Sequence, residues 1–135
     1  MVVRVSTPRL ERIHTDVARL RFATDDGWRG VLPGHEPSRT TLVPGPIALV
    51  TREQAGERLR WLATEGGLIT IGSAEVVITT RWATHSDTLE QLSEAVRVRD
   101  RAREQVELEA RELARRHELA VRRALIALQR KVARP

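Results

Sequence analysis

From Ser73 to Arg134 the chain contains neither glycine nor proline, although it has eight glycines and six prolines in all. Apart from Pro135, these residues are all spent in the first 72 positions. Glycine populates turn conformations at little steric cost, and proline fixes its own φ and removes a hydrogen-bond donor. The first part must therefore be cut into short segments by turns, while the second is free to run uninterrupted. From Ser86 onward apolar residues return every three or four positions. Leu89, Leu92 and Val96 come first, then Val106, Ala110, Leu113, Val121, Leu125, Leu128 and Val132. That is the spacing of one face of an α-helix. Ser86 or Asp87 reads as the N-cap, with Glu90 as its capping-box partner. Glu107 with Arg111, Glu112 with Arg116 and Glu118 with Arg122 are i,i+4 pairs in the favourable order, each contributing roughly a few tenths of a kcal/mol.

A helical region of about 45 residues would reach nearly 70 Å as a single rod, far beyond a small domain. Two shorter antiparallel helices would cover their own apolar faces. The stripe weakens between Arg97 and Gln105, where charge dominates, yet nothing there marks a tight turn. The sequence leaves three possibilities open: a hairpin, a long straight helix, or a switch between them.

The first part reads as β. Residues 3–6 alternate apolar and polar side chains, and Pro8 closes them. Residues 17–22 alternate again, placing Val17 or Ala18, Leu20 and Phe22 toward a core and Arg19 and Arg21 toward water. Further strands are predicted over residues 40–43, 47–50, 58–63, 68–71 and 76–80. A polar hairpin loop over residues 52–57 and turns at Pro44-Gly45-Pro46, Gly66-Gly67 and Gly72-Ser73-Ala74-Glu75 separate them. Short strands with turn signals every eight to twelve residues suggest a sandwich or barrel. The expectation is a β+α chain: an N-terminal β-sandwich over residues 1–84, then a C-terminal helical hairpin or long helix over residues 85–135.

The chain has no cysteine, which excludes disulfides and thiolate chemistry. No apolar run approaches the roughly 20 residues that span a bilayer, and Met1-Val2-Val3-Arg4 does not open a signal peptide. A cytoplasmic location is the resulting expectation. The net charge of +5 is local: residues 115–134 hold seven basic side chains against the single acid Glu118. A basic terminal segment of this kind implies an acidic partner, phosphate or carboxylate. With 3% aromatic residues and no tyrosine, platforms for stacking bases are scarce. A module binding nucleic acid or another anionic surface through this tail is kept as the alternative reading.

No catalytic constellation is visible. There is no phosphate-binding glycine loop ending in Lys-Ser/Thr, and Asp25-Asp26 reads as turn chemistry. His14, His35, His85 and His117 are scattered without ligand spacing, so no metal and no cofactor is expected. His35 reads as a hydrogen-bonded loop histidine. It lies in the most heavily punctuated stretch of the chain, Gly27-Trp28-Arg29-Gly30-Val31-Leu32-Pro33-Gly34-His35-Glu36-Pro37, with three glycines and two prolines in eleven residues. This stretch is predicted to be a shaped loop with a short apolar strand end at Val31-Leu32.

The order Gly-x-x-Gly-Val-Leu-Pro-Gly-His-x-Pro resembles the signature of the epsilon subunit of F-type ATP synthases. The resemblance extends along most of the chain. Val3-Arg4-Val5-Ser6-Thr7-Pro8 precedes it, Leu42-Val43-Pro44-Gly45 follows it, and Glu65-Gly66-Gly67-Leu68-Ile69-Thr70-Ile71 with Val76-Val77-Ile78-Thr79 matches the stretch that ends the family's sandwich. The resemblance implies a non-enzymatic rotor-stalk subunit whose partners are the gamma subunit, the c-ring and the alpha/beta catalytic hexamer. It implies a position on the cytoplasmic side of a bacterial plasma membrane, peripheral to it. Trp28, Arg29 and His35 would meet the c-ring. Where family members often carry an acid after the first glycine, this chain has Trp28-Arg29. Trp28 is read either as an interface anchor or as packing under its own loop. Arg115, Arg116, Arg122, Arg123, Arg130 and Lys131 would meet the catalytic beta subunits and oppose ATP hydrolysis, or else form a solvated helix face. Some family members bind ATP through an Ile/Leu-Asp-x-x-Arg-Ala motif. Here Leu113 stands where the aspartate belongs and His117 replaces the alanine, so weak or absent nucleotide binding is expected.

Overall fold

A computed structural model describes residues 1–133, and Arg134 and Pro135 lie outside the described residues. Ten strands are found among the described residues: β1 (Val2–Ser6), β2 (Glu11–His14), β3 (Val17–Thr24), β4 (Gly27–Val31), β5 (Ser38–Leu42), β6 (Gly45–Glu53), β7 (Gly56–Thr64), β8 (Gly67–Ile71), β9 (Glu75–Thr79) and β10 (Ala83–Ser86). They form two five-stranded sheets, ordered β2-β1-β9-β8-β5 and β10-β7-β6-β3-β4. All neighbours pair antiparallel except β1 with β9. Alternation dictates this layering. Val3, Val5, Ile69, Ile71, Val76 and Ile78 from one sheet meet Leu20, Phe22, Val31, Ile47, Leu49 and Leu62 from the other in one core. The protein is thus a β-sandwich followed by a helix.

Val17 and Ala18 are both buried, where simple alternation allows only one. The pairing of β3 with β6 shifts register between Val17 and Arg19, and such a bulge turns two successive side chains inward. The polar segment at 52–57 is shorter than a loop, because β6 and β7 pair out to Glu53 and Gly56 and leave a two-residue turn. Two strands had no signal in the sequence, β2 and β10. Each is an edge strand.

The helix α1 runs from Leu89 to Ala133 without interruption, so the hairpin alternative does not apply to the described residues. Its cap is Thr88, neither Ser86 nor Asp87. Thr88 Oγ1 accepts from the Gln91 N–H at 3.2 Å. The Thr88 N–H donates to Ser86 Oγ at 3.4 Å rather than to the Gln91 side chain, so the cap is not a reciprocal capping box on Gln91 or on Glu90. Ser86 is unavailable as a cap because it ends β10, from where its hydroxyl donates to Gln91 Oε1 at 3.1 Å.

The chain divides into two units, residues 1–96 and residues 97–135. The first contains the sandwich and the opening two turns of α1, where Leu92 is buried. The described part of the second is the rest of α1, and there every residue from 100 to 133 is exposed. Local forces suffice to explain its helicity: no glycine or proline interrupts it, and Arg116 with Glu112 and Arg122 with Glu118 close i,i+4 pairs at 2.7 and 2.9 Å. Glu107 is held by Arg103 on the preceding turn, at 3.5 Å, rather than by Arg111.

Candidate functional site

The stretch 27–37 is half strand. Residues 27–31 form β4, the outer edge of the second sheet, instead of a loop, and Leu32 lies past its end. An edge strand pairs on one side only and tolerates glycines that would weaken a central one. After β4 the chain turns through Pro33 and Gly34. Gly34 donates its N–H to the Ser73 carbonyl at 2.9 Å, which ties this turn to the β8–β9 connection.

Register decides how the three candidate residues are presented. Trp28 sits opposite Ala23 and Arg29 opposite Phe22. Phe22 is in the core, so Trp28 and Arg29 leave the strand on opposite faces. Trp28 is 55% exposed, with the Arg21 guanidinium 5.9 Å from its ring centroid. It is an outward side chain held by a cation–π contact, not one folded under its loop. His35 is exposed, and its Nδ1–H donates to the Glu36 carbonyl at 2.8 Å. Leu32, 60% exposed, adds an apolar tip between them.

The second group of candidates lies on α1, where Arg115, Arg116, Arg122, Arg123, Arg130 and Lys131 are all exposed. At about 100° per residue the six occupy one half of the helix circumference. The stripe Val106, Ala110, Leu113, Val121, Leu125, Leu128 and Val132 occupies a sector of about 120° on the other half, meeting the basic half only at Lys131. Arg116 and Arg122 are neutralised by their glutamates. Among the described residues, Arg115, Arg123, Arg130 and Lys131 have no acidic partner.

One cluster escaped the sequence. His14 ends β2 on the edge of the first sheet, and His85 lies in β10 on the edge of the second. Their rings stack at 5.0 Å between centroids, tilted by 31°. They line a polar cleft of about 440 Å³ with Arg12, Arg60, Ser86 and Gln91. Burial, followed by the neighbouring charge of Arg12, pushes both imidazoles below their usual range, His85 to about 4. No ligand-like spacing announces this pair, because 71 positions separate its members and only the meeting of two sheet edges joins them.

Residues 1–86 match the family described as ATP synthase, Delta/Epsilon chain, beta-sandwich domain. The chain belongs to that family. The match ends where β10 ends, so the family's sandwich is the whole ten-stranded unit. The ATP synthase epsilon chain of Moorella thermoacetica is 34% identical over 130 residues, which are 96% of this chain and 90% of that one. The ATP synthase epsilon chain of Corynebacterium urealyticum is 33% identical over 82 residues, 61% of this chain and 64% of that one. Among solved structures, a chain of the Euglena gracilis mitochondrial ATP synthase, seen by cryo-electron microscopy in an OSCP/F1/c-ring assembly, superposes with a TM-score of 0.55 at 23% identity. That superposition covers 70% of this chain and 60% of the other, and it shows a shared fold. No helix of the described residues is long and apolar enough to cross a membrane.

Proposed function

We propose that this chain is a central-stalk rotor subunit of an F-type ATP synthase, coupling the gamma subunit to rotation of the c-ring in proton- or sodium-driven ATP synthesis. As a member of the delta/epsilon family it is a non-catalytic accessory subunit of a rotary complex. The observation that carries the finer reading is the 34% identity with an epsilon chain over 96% of this chain, sandwich and helix together. In this reading the sandwich, residues 1–84 with the rest of β10, holds gamma and the c-ring. Trp28, Leu32 and His35 form the apolar and hydrogen-bonding tip that meets the ring, and Arg29 faces a different direction from Trp28. Residues 85–135 regulate. The basic half of α1 approaches acidic surface on the alpha/beta hexamer and opposes ATP hydrolysis, with Arg115, Arg123, Arg130 and Lys131 leading because no glutamate neutralises them. The protein sits on the cytoplasmic side of a bacterial plasma membrane, attached through the complex.

The test is ATP hydrolysis by an alpha–beta–gamma complex lacking its own epsilon chain. It is titrated with the full chain and with a version ending at Val96, the boundary of the first unit. Binding by both with inhibition by the full chain alone is the expected result. Binding by both without inhibition leaves a coupling subunit and removes the brake. Binding by neither overturns the proposal, and retention on duplex DNA with steep salt dependence would then favour an anion-binding module.

A further inference from the structure

The two sheet edges β2 and β10 meet at the rings of His14 and His85. His14 is 8% exposed, and the Nε2 atoms of both rings are buried without a hydrogen-bond partner. A buried imidazole nitrogen in that condition forgoes the bonds it would make to water. The two rings lie against each other with centroids 5.0 Å apart and planes tilted by 31°, a contact compatible with two neutral imidazoles.

The charged groups lining the cleft are the Arg12 and Arg60 guanidiniums and the Asp87 carboxylate, which forms no ion pair with either ring. On β2, Arg12 lies beside His14, and on β7 Arg60 faces the same cleft. The carboxylates nearby are taken. Asp87 is bound by Arg58 at 3.0 Å, and Glu53 by Arg60 at 3.1 Å and Arg58 at 3.8 Å. Asp16, just past β2, and Arg52 on β6 line an adjoining recess that shares His14, Arg12 and Arg60 and includes Glu53, and they bond to neither ring. A proton arriving on either imidazole is therefore buried, faces two guanidinium groups and touches the second ring, with no acid within bonding reach.

We propose that His14 and His85 form a proton-operated latch between β2 and β10, closed while both rings are neutral and opened when one is charged. The latch sits at the root of α1. β10 ends at Ser86, whose hydroxyl accepts from the Thr88 N–H at 3.4 Å and donates to Gln91, and Thr88 caps the helix. Opening β10 thus releases the cap network of the first helical turn. The inference is independent of any partner and of the reading as a rotor subunit.

The sign follows from the depressed pKa values. Both groups bind protons more weakly in the folded chain, so the stability they confer is present above the ordinary histidine value of 6.5 and is lost as pH falls below it, for His85 progressively toward about 4. For His85 alone, the unfolding constant at pH 5 should be roughly 20-fold larger than at pH 7.

Two measurements on the full chain test this. In an NMR titration of ring Cε1–H signals, assigned by their loss in His14→Phe and His85→Phe, both histidines should stay neutral at pH 6. Below pH 5 amide exchange, measured relative to its intrinsic acid-slowed rate, should accelerate in residues 83–91 and 11–14 before it does in β3 and β6. In urea unfolding, His85→Phe, which keeps an aromatic ring against His14, should remove most of the 20-fold rise between pH 7 and 5. Ordinary titration of both rings near pH 6.5, or exchange that accelerates no earlier at these edges than in the core strands, overturns the latch. Should His85→Phe fail to fold, the wild-type titration and exchange still decide.

Discussion

Gly67→Ala should be far more damaging than its one added methyl suggests, and a second glycine in the same sandwich supplies the control. Gly67 opens β8 with φ at +139°, and a Cβ placed there would lie 2.1 Å from the Thr79 carbonyl oxygen and 3.2 Å from its carbon. These are backbone atoms of the partner strand, in register with Leu68, so no side-chain rotation relieves the clash. Gly56 opens β7 with φ at +121°, but a Cβ there meets nothing within 4 Å. Both substitutions carry the strain of an L-residue at positive φ, about 1–3 kcal/mol. Only Gly67→Ala adds forced separation of two paired strands, an overpacking cost of about 1–3 kcal/mol. The difference between the variants should be about 2 kcal/mol, or about 1–2 M in urea midpoint. Tryptophan fluorescence is the assay, since Trp28, Trp61 and Trp82 all lie in the first unit and report on the sandwich alone. Equal midpoints for the two variants would refute the argument that the Thr79 carbonyl, rather than backbone torsion, requires glycine at 67.

Trp28→Ser should leave the urea midpoint within about 0.5 kcal/mol of wild type, because the ring is largely in water, while weakening retention by a c-ring-containing complex; a collapse of stability instead would show that Trp28 serves the fold. Arg115→Glu with Arg123→Glu should relieve inhibition of hydrolysis more than Arg116→Glu with Arg122→Glu, since the latter arginines are already paired with Glu112 and Glu118; equal effects would argue against a contact governed by uncompensated charge. Thr88→Ala removes the helix cap and should cost about 1 kcal/mol, seen as earlier loss of protection at residues 89–92 in amide exchange; unchanged exchange would place the cap elsewhere.

Strands whose two faces differ in polarity were legible. β1, β3 and β9 alternate because each lies between a core and water, while β6 and β7 were legible as apolar runs bounded by turns and bury three successive residues each. All of these, with β8, appear within a few residues of their expected bounds. β2 failed for a physical reason: in Glu11-Arg12-Ile13-His14 only His14 is buried, and Ile13 is 50% exposed. β10 failed because Ala83, Thr84, His85 and Ser86 are all half-buried, giving no period to detect. β4 was hidden by its glycines, which an edge strand accommodates. The candidate residues were legible as types but not as directions, since only the register of β4 against β3 sends Trp28 and Arg29 to opposite faces. The His14–His85 contact depends on which two edges of the sandwich approach each other, and no local pattern encodes that.

The helix marks the other boundary of what a sequence states. Propensity and i,i+4 pairing are local, and they account for helix from Leu89 to Ala133 whether or not anything covers it. The apolar stripe is a different kind of signal. Its members in the second unit are exposed, Leu113 by 65% and Leu128 by 58%, so each forgoes the roughly 1.5–3 kcal/mol that full burial of such a side chain contributes. Leu92, on the same sector of the same helix, is 2% exposed in the first unit. One stripe is thus satisfied at its root and unsatisfied along its length, and spacing alone cannot distinguish the two conditions. A sequence can therefore specify that a face exists while leaving its occupant to the assembly. The two halves of α1 constrain that occupant: a surface that buries the apolar sector leaves most of the basic half turned away, and one that pairs with the basic half leaves most of the stripe uncovered. A brake on hydrolysis acting through both must meet the helix from two sides, as a slot does, rather than from one, as a flat face does.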